Sequence, residues 1–92
     1  MKNISATYSN TEKAWVSPDI TEQRNFYLMI ELKTPGKVVI RQKNRNGEFP
    51  MVPMKKHRNA TVFHLRMQLN APASTIRIFT SSEPKLIRYA YI

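Results

Sequence analysis

The stretch Thr61-Val62-Phe63-His64-Leu65-Arg66-Met67-Gln68-Leu69 constrains the fold of this chain more than any other. Phe63, Leu65, Met67 and Leu69 fall on one side of an extended backbone, and His64, Arg66 and Gln68 on the other. A period of two with an apolar and a polar side is the pattern of a strand that buries one face and wets the other. The same pattern recurs. Residues 26–32 set Phe26, Leu28, Ile30 and Leu32 on one face, and residues 37–43 bury Val38 and Ile40 while showing Lys37, Arg41 and Lys43. Residues 76–80 and 86–92 read as closing strands, and residues 4–8 and 13–16 as shorter ones. Residues 48–54 read as an edge strand or irregular loop, because Pro50 and Pro53 remove backbone donors.

Breakers separate these segments. Thr34-Pro35-Gly36-Lys37 reads as a type II turn, with Pro35 fixing φ and Gly36 supplying a positive φ. Asn44-Arg45-Asn46-Gly47 is a hairpin signal, since Asn-Gly favours turns that match strand twist. Residues 70–74 and 81–84 read as further turns. No segment carries apolar residues at i, i+3, i+4 and i+7 over a helical length. About seven to eight short strands with turns at roughly 8–12-residue intervals predict an all-β fold, an antiparallel β-sandwich of Ig-like or jelly-roll-like kind, with a small closed barrel as the alternative.

The chain of 92 residues makes one domain over residues 1–92. Its apolar runs are far short of the roughly 20 residues that cross a bilayer, so no membrane partner is expected. The first residues lack the apolar core of a signal peptide, and the sequons at Asn3 and Asn59 are read as chance. With no cysteine there is neither a disulfide framework nor a thiolate metal site.

Catalytic chemistry is not expected. His57 and His64 have no triad partners in sequence and match no common metal-ligand spacing, so both read as surface histidines. The carboxylates Glu12, Asp19, Glu22, Glu31, Glu48 and Glu83 are isolated and read as members of ordinary ion pairs. Two glycines cannot build a phosphate loop. The chain therefore reads as a non-enzyme without cofactor or metal.

Charge points to partners instead. Fifteen Lys and Arg against six Asp and Glu give a formal charge of +9, which attracts anions. Arg41, Lys43 and Arg45 climb into the Asn-Gly hairpin, and Lys55, Lys56 and Arg58 form a second cluster in the loop that follows. These six are the candidate partner-binding residues. Arg66, Arg77 and Arg88 take outward strand positions, with Tyr27, Phe79, Tyr89 and Tyr91 interspersed. Cations with aromatics on a sheet suit single-stranded nucleic acid, so a nucleic-acid-binding module using the same six residues plus Tyr27 and Phe79 is the runner-up. Trp15 reads as the anchor of the first hairpin, and a glycan platform built on it and the tyrosines is the lesser alternative.

Three pieces resemble the small β-sandwich accessory proteins of tailed-phage particles, of the head-decoration and head-fibre type. They are Asp19-Ile20-Thr21 before the strand 26–32, Val38-Val39-Ile40-Arg41-Gln42-Lys43 followed by Asn46-Gly47-Glu48-Phe49-Pro50-Met51, and the closing pair 74–81 and 87–92. This chain is more basic than that pattern and poorer in glycine. The resemblance implies a non-catalytic virion protein, an oligomer or part of a larger assembly, whose partners are other virion proteins or an acidic protein surface. A cytoplasmic location is the alternative.

Overall fold

A computed structural model of the chain describes residues 2–49, 55–67 and 74–91. They form β1 (Lys2–Asn3), β2 (Thr7–Ser9), β3 (Ala14–Val16), β4 (Ile20–Glu22), β5 (Phe26–Gln42), β6 (Lys55–Met67), β7 (Ser74–Thr80) and β8 (Pro84–Tyr91), with no helix among the described residues. Every pairing is antiparallel, so the expected all-β antiparallel class is what the chain adopts. All eight strands join one hydrogen-bonded sheet.

The sheet is organised by β5. Phe26, Leu28, Ile30, Leu32, Val38 and Ile40 are buried, each at most 2% exposed, so one alternation runs in phase on both sides of residues 33–37, where Thr34 is exposed and Gly36 half-buried. β6 pairs along one edge of β5, from Phe26 opposite Met67 to Ile40 opposite Lys55. Along the other edge β8 pairs with the first part of β5 and β7 with the last part. The result is a three-stranded ribbon broken near its middle on all three strands. The pairing slips between Glu31 and Val38 around Gly36, which lies opposite Ala60, and Ser81–Glu83 separate β7 from β8.

This crease replaces the turn expected at residues 34–37. The backbone stays extended there, and the positive φ belongs to Gly47 and not to Gly36. The hydrogen bonds a turn would make internally come from the β7–β8 connection. Ser81 N–H donates to the Lys37 carbonyl at 2.9 Å and Lys33 N–H to the Glu83 carbonyl at 2.9 Å. Lys37 N–H donates to Ser81 Oγ at 2.7 Å, and Ser82 Oγ donates to the Thr34 carbonyl at 2.8 Å. Pro35, which has no N–H, is tolerated at such an irregularity. Gly36 is needed for space: a Cβ there would stand 2.7 Å from Ser81 Oγ and 2.9 Å from Ser82 Oγ.

Each half of the creased ribbon is widened by the N-terminal strands. β1 adds to β8 in the first half, while β3 and β4 add to β7 in the second, with β2 beyond β3. Of the expected strand 4–8 only Thr7 and Tyr8 are strand, in β2, and residues 4–6 link β1 to β2, which serve different halves. Ile4 and Ala6, between them, pack against the core. Phe26, Leu28 and Ile30 of the first half share one buried cluster with Val38, Ile40, Ile76 and Ile78 of the second. Burying these side chains out of water, at about 1.5–3 kcal/mol each, is the main force holding the crease closed.

The Asn-Gly turn forms as expected. Gly47 N–H donates to the Asn44 carbonyl at 3.1 Å with Gly47 at φ 80, and Asn44 Oδ1 accepts from the N–H groups of Asn46 and Glu48, both at 2.9 Å. Of the segment 48–54, Glu48 and Phe49 are not strand, and the rest lies outside the described residues. So do Leu69 and most of the turn at 70–74. Trp15 anchors the first hairpin as expected, half-buried opposite Tyr8 with the rings edge to face at 5.5 Å.

Candidate cationic surfaces

The six candidate partner-binding residues lie toward one end of the ribbon. Arg41 lies at the end of β5 and Lys43 just beyond it, Arg45 stands exposed in the Asn-Gly turn, and Lys55, Lys56 and Arg58 open β6. The last three were expected in a loop. They are strand because the end of β5 offers its edge to them, with Val39 opposite Lys56 and Ile40 opposite Lys55. Arg41 sits directly across from Arg77 of β7. Two carboxylates accompany this pair of like charges. Arg77 Nε and Nη2 donate to Asp19 Oδ1 at 2.8 and 2.6 Å, Lys43 Nζ lies 3.9 Å from Asp19 Oδ2, and Arg41 Nη1 lies 3.6 Å from Glu12 Oε2. Arg77 also stacks at 4.1 Å over Phe49. Arg41 and Lys43 are thus partly neutralised within the chain, whereas Arg45 projects from the turn.

Phe79, expected as a stacking residue, is 6% exposed and lies beneath the Arg41 guanidinium, 4.6 Å from ring centre to Cζ. It fills the outer face of the second half and is not free to stack on a base. Tyr27 is different. It is 52% exposed on the outer face of the first half.

The odd-numbered residues of β5 run down the middle of that outer face. Tyr27 lies between Arg66 of β6 and Ala90 of β8, Met29 between His64 and Arg88, and Glu31 between Val62 and Leu86. A shallow cleft of about 290 Å³ opens there, lined by the side chains of Tyr27, Met29, His64, Arg88 and Ala90 above the β5, β6 and β8 backbones. His64 and Arg66 are exposed, Arg88 is half-buried, and the Arg88 Nε–H is buried with no hydrogen-bond partner among the described residues. The outward places of Arg66 and Arg88 were legible in the sequence. Their convergence about Tyr27 was not, because it depends on which strands flank β5.

A third cluster joins β4, β8 and β1. Glu22 of β4 is 8% exposed, and its Oε1 accepts from Tyr89 Oη at 2.6 Å and Tyr91 Oη at 3.1 Å, both from β8. Lys2 of β1 reaches the same oxygen at 3.6 Å. Burial pushes the Glu22 carboxyl up, but the two phenol hydrogen bonds and Lys2 outweigh it and hold the group below the usual glutamate value. Burial and the hydrogen bond to Glu22 push the Tyr89 phenol up. A carboxylate held ionised is a poor proton donor at neutral pH. It is a latch, tying β4 of the second half to β8 and β1 of the first.

Of the six acids read as ion-pair members, four, Glu12, Asp19, Glu22 and Glu83, stand in ion pairs. Both histidines are exposed, and among the described residues no three His, Asp or Glu side chains gather as a metal site would require. No family model, no curated protein and no solved structure matches this chain.

Proposed function

We propose that this protein is a non-catalytic assembly protein that docks on an acidic protein surface through Arg41, Lys43, Arg45, Lys55, Lys56 and Arg58. The observation that carries this reading is their convergence. The end of β5, the Asn-Gly turn and the start of β6 bring six cationic residues to one end of the ribbon. Complementary charge steers such a surface to its partner and fixes its orientation. The resemblance to accessory proteins of tailed-phage particles supports a virion location and a role as one subunit among many.

Poly-L-glutamate is a suitable stand-in for the acidic surface. Calorimetric titration at 50 mM salt is expected to show binding that weakens about tenfold or more in the Arg45→Glu/Lys55→Glu/Lys56→Glu variant, with a steep dependence on salt. Equal affinity in wild type and variant would remove these residues from the interface. Light scattering after size exclusion tests the oligomer.

A second reading, binding of nucleic acid, is favoured by one specific observation: the exposed Tyr27 ring between cations on the outer face of the first half. It loses Phe79, which is covered.

A further inference from the structure

We infer that the outer face of the first half, formed by Tyr27, Met29, His64, Arg66, Arg88 and Ala90, is a binding site for single-stranded nucleic acid. This deepens the second reading above and moves it away from the hairpin cations to a separate surface.

Four observations converge. Tyr27 presents an exposed ring on the central strand, and Met29 beside it extends an apolar floor at the position two residues on. A base has a π-face whatever its identity, so a ring on an open sheet can stack with it without sequence preference. Cations flank this strip diagonally: Arg66 stands beside Tyr27 from β6, and Arg88 beside Met29 from β8, with His64 on the opposite edge. Neighbouring strands are about 4.8 Å apart, so the two arginines straddle the strip from opposite sides at about twice that spacing. They are placed to meet the sugar–phosphate backbone while bases lie on the floor between them.

The third observation is the Arg88 Nε–H, buried at the cleft and without a partner among the described residues. A guanidinium N–H withdrawn from water carries a desolvation cost that an acceptor in the cleft would relieve. A phosphate oxygen is the acceptor that a guanidinium matches best. The fourth observation is the balance of charge. Among the described residues of this face, Glu31 is the one carboxylate against the cations Arg66 and Arg88. A second copy of the chain laid face to face would set these arginines against their own kind. A polyanion with flat apolar groups meets both the charge and the ring.

Fluorescence anisotropy with a labelled fifteen-residue oligothymidylate at 50 mM salt tests this. Micromolar binding is expected, weakening linearly on a logarithmic salt axis. Tyr27→Ala is expected to weaken it about tenfold, while Tyr27→Phe, which keeps the ring, stays within about twofold. Arg88→Lys keeps the charge but loses the Nε–H and is expected to weaken binding about tenfold. Lys85→Ala, a cation exposed elsewhere on β8, is expected to change it less than twofold. Tyr27 and Lys85 are surface residues, and far-ultraviolet dichroism checks that each variant keeps its strands.

The inference is overturned if no binding is seen at 50 mM salt. It is overturned equally if Tyr27→Ala binds like wild type, or if Tyr27→Ala abolishes self-association or poly-L-glutamate binding, which would make the occupant a second copy or an acidic protein. Failure of the assembly reading is separable, since that rests on the Arg45, Lys55 and Lys56 substitutions and on a polypeptide probe.

Discussion

Glu22 shows what a single side chain does here. Its carboxylate joins strands distant in sequence: Tyr89 lies 67 residues away and still donates to it at 2.6 Å. Because its folded value lies below the ordinary one, the unfolded chain takes up a proton at higher pH than the folded chain does. The stability Glu22 confers is therefore complete above the ordinary glutamate range, about pH 4.3, and is lost as pH falls from there through the lowered folded value. Glu22→Gln keeps the shape and a carbonyl acceptor but removes the charge. Urea unfolding is expected to show a loss of about 1–2 kcal/mol at pH 7 that is smaller at pH 3. A loss of the same size at both pH values would mean that packing, not ionisation, is what Glu22 contributes. None of this was legible in the sequence, where Glu22 is one isolated acid among six. The pairing rule predicted a partner for it. Only the topology says that the partners are two phenols and a lysine.

Among the elements, the crease carries the most information. The alternation of Phe26, Leu28, Ile30, Leu32, Val38 and Ile40 was visible in the sequence, and so was their burial. What Thr34-Pro35-Gly36-Lys37 concealed was continuity, because this string has turn chemistry whenever nothing else bonds its backbone. Here Ser81, Ser82 and Glu83 bond it, from more than 40 residues away. A local reading has no access to that competition. Gly36→Ala separates the two accounts. A turn with positive φ would be strained by any Cβ, whereas the crease sets that Cβ against two hydroxyls already committed to hydrogen bonds. The overpacked crease is expected to lose about 1–3 kcal/mol, and trimming Ser82 to Ala in the same chain should recover part of it. A double variant no more stable than Gly36→Ala alone would rule against the steric explanation. The Asn-Gly turn, by contrast, was legible because its signal is local: Gly47 supplies the positive φ and Asn44 Oδ1 the accepting oxygen.

Across the whole molecule, the fold separates two cationic surfaces. The candidate cations at residues 41–58 could be named from the sequence, and the fold sets their backbone positions toward one end of the ribbon, although Arg41 and Lys43 have carboxylates of their own. The Tyr27 face could not be named, since its rows cross β6, β5 and β8 and exist only once those strands are neighbours. One small basic domain is thus proposed to carry two separate anion-binding sites, for polypeptide at the hairpin end and for nucleic acid on the outer face of the first half. Amide chemical-shift mapping of the isotope-labelled protein tests that division most directly, with poly-L-glutamate and oligothymidylate titrated in parallel at the same salt. The predicted result is two disjoint footprints, poly-L-glutamate moving amides within residues 41–58 and oligothymidylate moving those of Tyr27, Met29, His64, Arg66, Arg88 and Ala90. One shared footprint for both polyanions, or shifts spread evenly over the cationic surface, would contradict it.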